Sequence, residues 1–162
     1  MRKEYRFFIS STFMDMQKER DILREEVFPE LELYAKKYGV YVSFVDLRWG
    51  IQTEDCANDD EVSFKIFKTC FEEIDESKPF FIGLLGDRYG WIPDISKLPL
   101  ELDSRYKDFT KYNGKSITEV EMLYAIEKYG IDKDASFIYA FRNIKNDREL
   151  KVLSERSLNE IH

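Results

Sequence analysis

The chain has 162 residues, enough for one ordinary domain, and 25 Lys+Arg against 32 Asp+Glu give it a net charge of −7. This acidic balance argues against a nucleic-acid partner, because phosphate recognition draws on a basic excess. Hydrophobic residues at 43% and charged residues at 35% describe a globular chain, and its longest apolar run, Pro79 to Leu85, is too short for a membrane span.

Residues 5–10 (Y-R-F-F-I-S) read as a buried strand. Thr12-x-x-Asp15 then reads as a capping box opening a helix. Met16, Leu23, Val27, Leu31, Tyr34 and Tyr38 form its apolar stripe. Pro29 predicts a kink or break near Glu25–Glu26, and Gly39 a left-handed cap. Residues 40–47 (V-Y-V-S-F-V-D-L) are the second strand. A second helix from Asp59 or Asp60 buries Val62, Ile66, Phe67, Cys70, Phe71 and Ile74, and stops at Ser77-Lys78-Pro79. Residues 80–85 (F-F-I-G-L-L) are the third strand, and the irregular stretch 87–115 follows. Ser116-Ile117-Thr118-Glu119 is a capping box for a third helix with Ile117, Val120, Leu123 and Tyr124 on its apolar side and Gly130 at its end. Residues 136–141 (S-F-I-Y-A-F) are the fourth strand, and a weaker helical pattern runs over 147–161. Alternating strands and helices predict an α/β fold, a parallel sheet with helices on both faces. Because the chain ends inside a helical pattern, we expect a domain over 1–145 and a C-terminal helix over 146–162 leading into a further region.

The residue inventory narrows the chemistry. The only His is His162, which excludes Ser-His-Asp and Cys-His catalysis and His-rich metal sites. Cys56 and Cys70 fit no zinc or redox spacing. The N-terminal apolar run is too short for a signal peptide, so the expected location is cytoplasmic. Acid–base work, if any, falls to carboxylates, Lys or Tyr.

In an open parallel sheet, ligands bind beyond the carboxyl ends of the strands. There the chain carries Ser10-Ser11-Thr12, then Asp46-Leu47-Arg48-Trp49, then Asp87-Arg88-Tyr89-Gly90-Trp91. Hydroxyls and Arg suit phosphate oxygens, and Trp and Tyr suit a flat base, so the set suits a nucleotide. Each residue also has a plain structural reading. Thr12 is a helix cap, Trp49 and Trp91 close the core, and Asp46 and Arg48 pair with charged neighbours. On the third helix, Glu119 and Glu121 lie ~200° apart and cannot share a face. Glu119 closes the capping box; Glu121 has no structural partner visible in the sequence and is a candidate catalytic acid.

Five ordered blocks carry a resemblance: F-I-S-S-T-F-x-D-M-x-x-E-R-D at 8–21, V-D-L-R-W-G-I at 45–51, F-E-E-I-D at 71–75, P-F-F-I-G-L-L-G-D-R-Y-G-W at 79–91 and S-I-T-E-V-E at 116–121. The chain resembles the TIR-like domain that precedes NACHT and related STAND NTPase modules in NACHT/WD-repeat, telomerase-associated, nephrocystin-type and bacterial STAND proteins. The resemblance implies a flavodoxin-like TIR-type fold of four or five parallel strands in the order 2-1-3-4-5. It implies signalling or antiviral defence in innate immunity, with NAD+ cleaved at the nicotinamide–ribose bond by Glu121. It implies no cofactor and no metal, NAD+ being the substrate. Ser10, Arg48 and Trp49 match the TIR substrate-pocket region; with Ser11, Asp46, Asp87, Arg88, Tyr89 and Trp91 from the strand ends and Glu119 from the third helix, they make the expected substrate-binding set. Implied partners are a second copy through TIR-like contacts and a STAND NTPase region downstream. A non-enzymatic homotypic interaction module, with loops 49–60 and 87–115 as contact surfaces, and a nucleoside deoxyribosyltransferase-like enzyme are the alternatives.

Overall fold

Apolar strands separated by amphipathic helices leave little choice but to stack into layers, and the sheet found here does so. A computed structural model describes residues 3–12, 14–47, 60–94, 109–130 and 134–142. Its strands are β1 (Lys3–Ser11), β2 (Val40–Asp46), β3 (Phe80–Leu85) and β4 (Ser136–Phe141). All pair in parallel, in the order β2-β1-β3-β4. The order is that of a flavodoxin-like α/β fold, and the four described strands take up the expected 2-1-3-4 positions. The register sets Ser10 beside Gly83, and Ile9 beside Asp46.

Two helical layers cover the sheet. On one face α3 (Asp60–Glu76) and α4 (Ile117–Tyr129) pack on Phe8 and Phe81, with Phe67, Cys70, Phe71, Ile74, Val120 and Tyr124 in the core. Phe71 stacks on Tyr124 at 4.0 Å between ring centroids. The α3 stripe is as expected at Ile66, Phe67, Cys70, Phe71 and Ile74; the side chain of Val62 lies outside the described residues. On the other face, Ile9, Ile82 and Leu84 meet Met16 and Phe28. Alternation along β1 therefore directs Phe8 and Ser10 to the α3/α4 side, and Ile9 and Ser11 to the other.

The first helical region departs from expectation twice. Helix α1 (Gln17–Ile22) begins after Met16, which is left-handed at φ 56° and offers no side-chain cap. Thr12 is thus not the cap, and its buried hydroxyl has no hydrogen-bond partner among the described residues. Asp15 instead accepts from the backbone N–H of Met16 at 2.8 Å and of Asp87 at 3.0 Å. The sequence pattern could not foresee this competitor, because Asp87 arrives from a distant strand.

The apolar stripe is also corrected. Between α1 and α2 (Phe28–Lys36) lies a π-helical turn, Leu23–Val27, in which Phe28 N–H bonds back to the Leu23 carbonyl. Pro29 supplies no N–H to the preceding turn, so the break falls where it was expected. Met16, Leu23 and Leu31 of the expected stripe do pack on the core, but the extra residue in that turn moves the other buried positions on by one. Phe28 and Ala35 are buried, whereas Val27, Tyr34 and Tyr38 are exposed. Gly39, at φ +69°, ends the region in the left-handed conformation expected of it.

The α4 start matches its signature in half. Ser116 Oγ accepts from Glu119 N–H at 3.2 Å. The Glu119 carboxylate does not reach back to Ser116 N–H. Tyr89 intervenes, its hydroxyl donating to Glu119 and accepting from Ser116 N–H. The helical pattern over 147–161, and with it the boundary at 145, lies outside the described residues.

Candidate functional site

Gly83 brings α4 down onto the sheet. A Cβ there would lie 2.7 Å from the Tyr139 ring and 3.0 Å from Met122 Cε, so only glycine allows this approach. Glu121 lies next to Met122 on α4, and Ser10 pairs with Gly83 across the sheet. The result is a direct contact: Ser10 Oγ donates to Glu121 Oε2 at 2.5 Å, with Ser10 1% and Glu121 6% exposed. The Cys70 thiol, from α3, also hydrogen-bonds the Glu121 carboxyl.

Burial pushes the Glu121 acid up to about 7; the Ser10 and Cys70 hydrogen bonds and the Arg20 charge oppose this, and the Asp46 charge adds to it. Burial and the adjacent Glu121 charge likewise raise the Cys70 thiol well above its ordinary value. Cys70 is thus a protonated donor rather than a reactive thiolate.

Directly behind this contact, across the sheet, sits a second polar knot. Arg20 of α1 is 4% exposed. Its Nε donates to Ser11 Oγ, its Nη2 to the Ser11 carbonyl at 2.8 Å, and its Nη1 to Asp46 Oδ1. Ser11 and Asp46 thus face α1, while Ser10 faces Glu121. Arg20 is absent from the sequence-based candidates. The signal for it was present, since it stands one helical turn after Met16 on the side expected to be apolar.

The remaining candidates form a groove beside these knots. One cleft of about 290 Å³ is lined by Thr12, Met14, Arg88, Gly90, Trp91, Ile117 and Thr118. A second, of about 450 Å³, shares Thr12, Arg88 and Thr118 with it and adds Asp87, Tyr89 and Glu119. Glu121 lines neither of these two described clefts. Glu119 sits at the rim, where hydrogen bonds from Lys115 and Tyr89 lower its pKa. The two carboxylates therefore work in opposite settings, Glu119 paired and ionised, Glu121 buried. The Trp91 side chain packs against the α3/α4 core, and its carbonyl accepts from Ile117 N–H at 3.0 Å. Arg48 and Trp49 lie outside the described residues.

The wall between the first and third strand ends is pinned by charge. Arg142, just after β4, donates from Nη1 to Asp15, from Nε to Glu19 at 3.0 Å and from Nη2 to Glu19 at 2.7 Å. A Cβ on Gly86 would lie 2.6 Å from Asp15 Cγ, so the carboxyl sits flat against the backbone leaving β3. Among the described residues no group of three or more His, Cys, Asp or Glu could hold a metal ion, and no helix is long and apolar enough to cross a membrane.

These features define an α/β domain of flavodoxin-like topology with a buried, serine-held carboxyl at the carboxyl end of its parallel sheet. Residues 6–160 match the family described as a domain of unknown function (DUF4062), and the chain belongs to that family. It is 36% identical over 123 residues to telomerase protein component 1 of Rattus norvegicus, covering 75% of this chain and 4% of that protein. It is 33% identical over 129 residues to a TPR repeat-containing protein of Dictyostelium discoideum, covering 74% and 7%. It is 30% identical over 105 residues to human NACHT and WD repeat domain-containing protein 2, covering 63% and 6%. The chain thus spans less than a tenth of the length of these relatives. No solved structure matches it.

Proposed function

We propose that this domain is a TIR-like effector or signalling domain of a STAND-type NTPase protein, and that it cleaves NAD+ at the nicotinamide–ribose bond with Glu121 as its working carboxylate. One observation carries the catalytic reading: a carboxyl held by Ser10 at the carboxyl end of a parallel sheet, with its proton poised near neutrality. In the reaction the C1′–N bond breaks and nicotinamide leaves with the bonding pair. Water adds its oxygen to C1′, and a proton is released. The ionised carboxylate stabilises the positive charge developing on the ribose, as in glycoside cleavage. The groove through Arg88, Tyr89 and Trp91 offers a cation and flat rings for the rest of the dinucleotide. The names of the relatives, which include NACHT and WD repeats, support a place beside an NTPase module and hence a signalling role in the cytoplasm.

The test is NAD+ consumption by the 162-residue chain, free and forcibly oligomerised, alongside Glu121→Ala and Glu119→Ala. Loss of turnover in Glu121→Ala with Glu119→Ala still active is the expected result. Equal turnover in Glu121→Ala overturns the assignment. A second reading, a homotypic interaction module, draws on the exposed apolar surface of α2 and the turn after it, where Leu33 is 64%, Tyr34 57% and Tyr38 68% exposed. Concentration-dependent association without turnover in any assembly state would favour it.

A further inference from the structure

We infer that Arg20 is the positioning residue of this site: from the opposite face of the sheet it ties the end of β1 to the end of β2 and so holds the Ser10 hydroxyl on the Glu121 carboxyl. The inference rests on Glu121 being the site's working group. Arg20 uses all three guanidinium nitrogens on two strands, taking the side chain and the carbonyl of Ser11 and the carboxylate of Asp46. Both members of the ion pair are buried, at 3% and 4% side-chain exposure. A buried pair of this kind adds little to stability over an apolar pair of similar size; its contribution is geometric. That geometry acts one residue from Ser10. Fixing the Ser11 carbonyl and side chain fixes the backbone of β1 where Ser10 projects the other way. Lysine cannot reproduce the fork, because it is a point charge on a flexible stem. The groups facing Glu121 are Ser10 from β1, Cys70 from α3, and across the sheet Arg20 from α1 and Asp46 from β2.

The experiment is a double-mutant cycle read by carboxyl ¹³C NMR titration of Glu121 in the 162-residue chain. In the parent, Ser10→Ala raises the Glu121 midpoint by on the order of one pH unit, the worth of a hydrogen bond to the charged form. In the Arg20→Leu/Asp46→Leu background, which replaces the ion pair by an apolar one, the effect of Ser10→Ala falls to near zero. Arg20→Lys, which keeps the charge, also weakens it and serves if the apolar pair fails to fold. A Ser10→Ala shift as large in either folded background as in the parent overturns the inference. Because the titration needs no turnover, it stands apart from the NAD+ assay. Loss of coupling with no NAD+ cleavage would leave Arg20 as the positioning residue of a non-catalytic carboxyl.

Discussion

Replacing Glu121 with Gln should make the chain's stability nearly independent of pH where the parent's is not. The Glu121 acid rises from 4.5 to about 7 on folding, chiefly because burial disfavours its charge. The folded state therefore binds more protons than the unfolded state between these values. The stabilising contribution is full below about 4.5 and is lost as pH rises through about 7. At 1.36 kcal/mol per tenfold, the parent loses about 3 kcal/mol across this window. Gln keeps an oxygen for the Ser10 hydroxyl and cannot ionise. Urea unfolding at pH 5, 6, 7 and 8 should give similar stabilities at the acid end and a Gln variant more stable by about 3 kcal/mol at pH 8. A difference between parent and variant that stays constant from pH 5 to pH 8 would refute the burial of an ionising carboxyl at this position.

The same titration shapes activity. NAD+ cleavage should rise with pH through about 7, as Glu121 ionises, and a rate flat across that range would count against a catalytic carboxylate. Gly83→Ala should push Met122 and the Tyr139 ring away from the sheet, lower stability by about 1–3 kcal/mol, and lengthen the Ser10–Glu121 contact in a crystal structure. Arg142→Ala should raise the pKa of Asp15. Burial lifts it, but the Met16 N–H, Arg142 and a second backbone N–H hold it below 3.8. The stability Asp15 contributes is present above that value and lost below it, so acid unfolding of the variant should begin at higher pH, with a cost of about 1–3 kcal/mol.

The sequence determined the elements far better than the traffic between them. β3 and β4 fall on their expected residues because each is a short apolar run bounded by a turn signal; β3 is buried on both faces, whereas β4 leaves Ile138 and Phe141 exposed. The α3 stripe was equally legible from its 3.6-residue period. Two things were not legible. The phase of α2 depends on an extra residue in a π turn, which leaves no mark on the hydrophobic pattern beyond Pro29. The destination of a side chain at a strand end depends on what the other strands deliver. Asp15 was read as a cap closing on Thr12, yet Asp87 and Arg142 take it. Asp46 and Ser11 were read with Ser10 as one rim, but they face away from Glu121 and toward Arg20. Arg20 stands on the apolar side of its helix, where a charged residue has the plain reading of a solvated one. Its burial with Asp46 shows that such an interruption is itself a signal.

The π turn at Leu23–Val27 sets the reading frame of the neighbouring helix. With the turn present, Phe28 and Ala35 point inward and a ladder of tyrosines points out. Winding the same residues as plain α-helix would turn the tyrosines toward the sheet and Phe28 toward water, whereas deleting a single codon from the turn removes the extra residue and leaves both where they are. A one-residue deletion is therefore absorbed here, whereas the same deletion further along α2 would rotate every side chain after it.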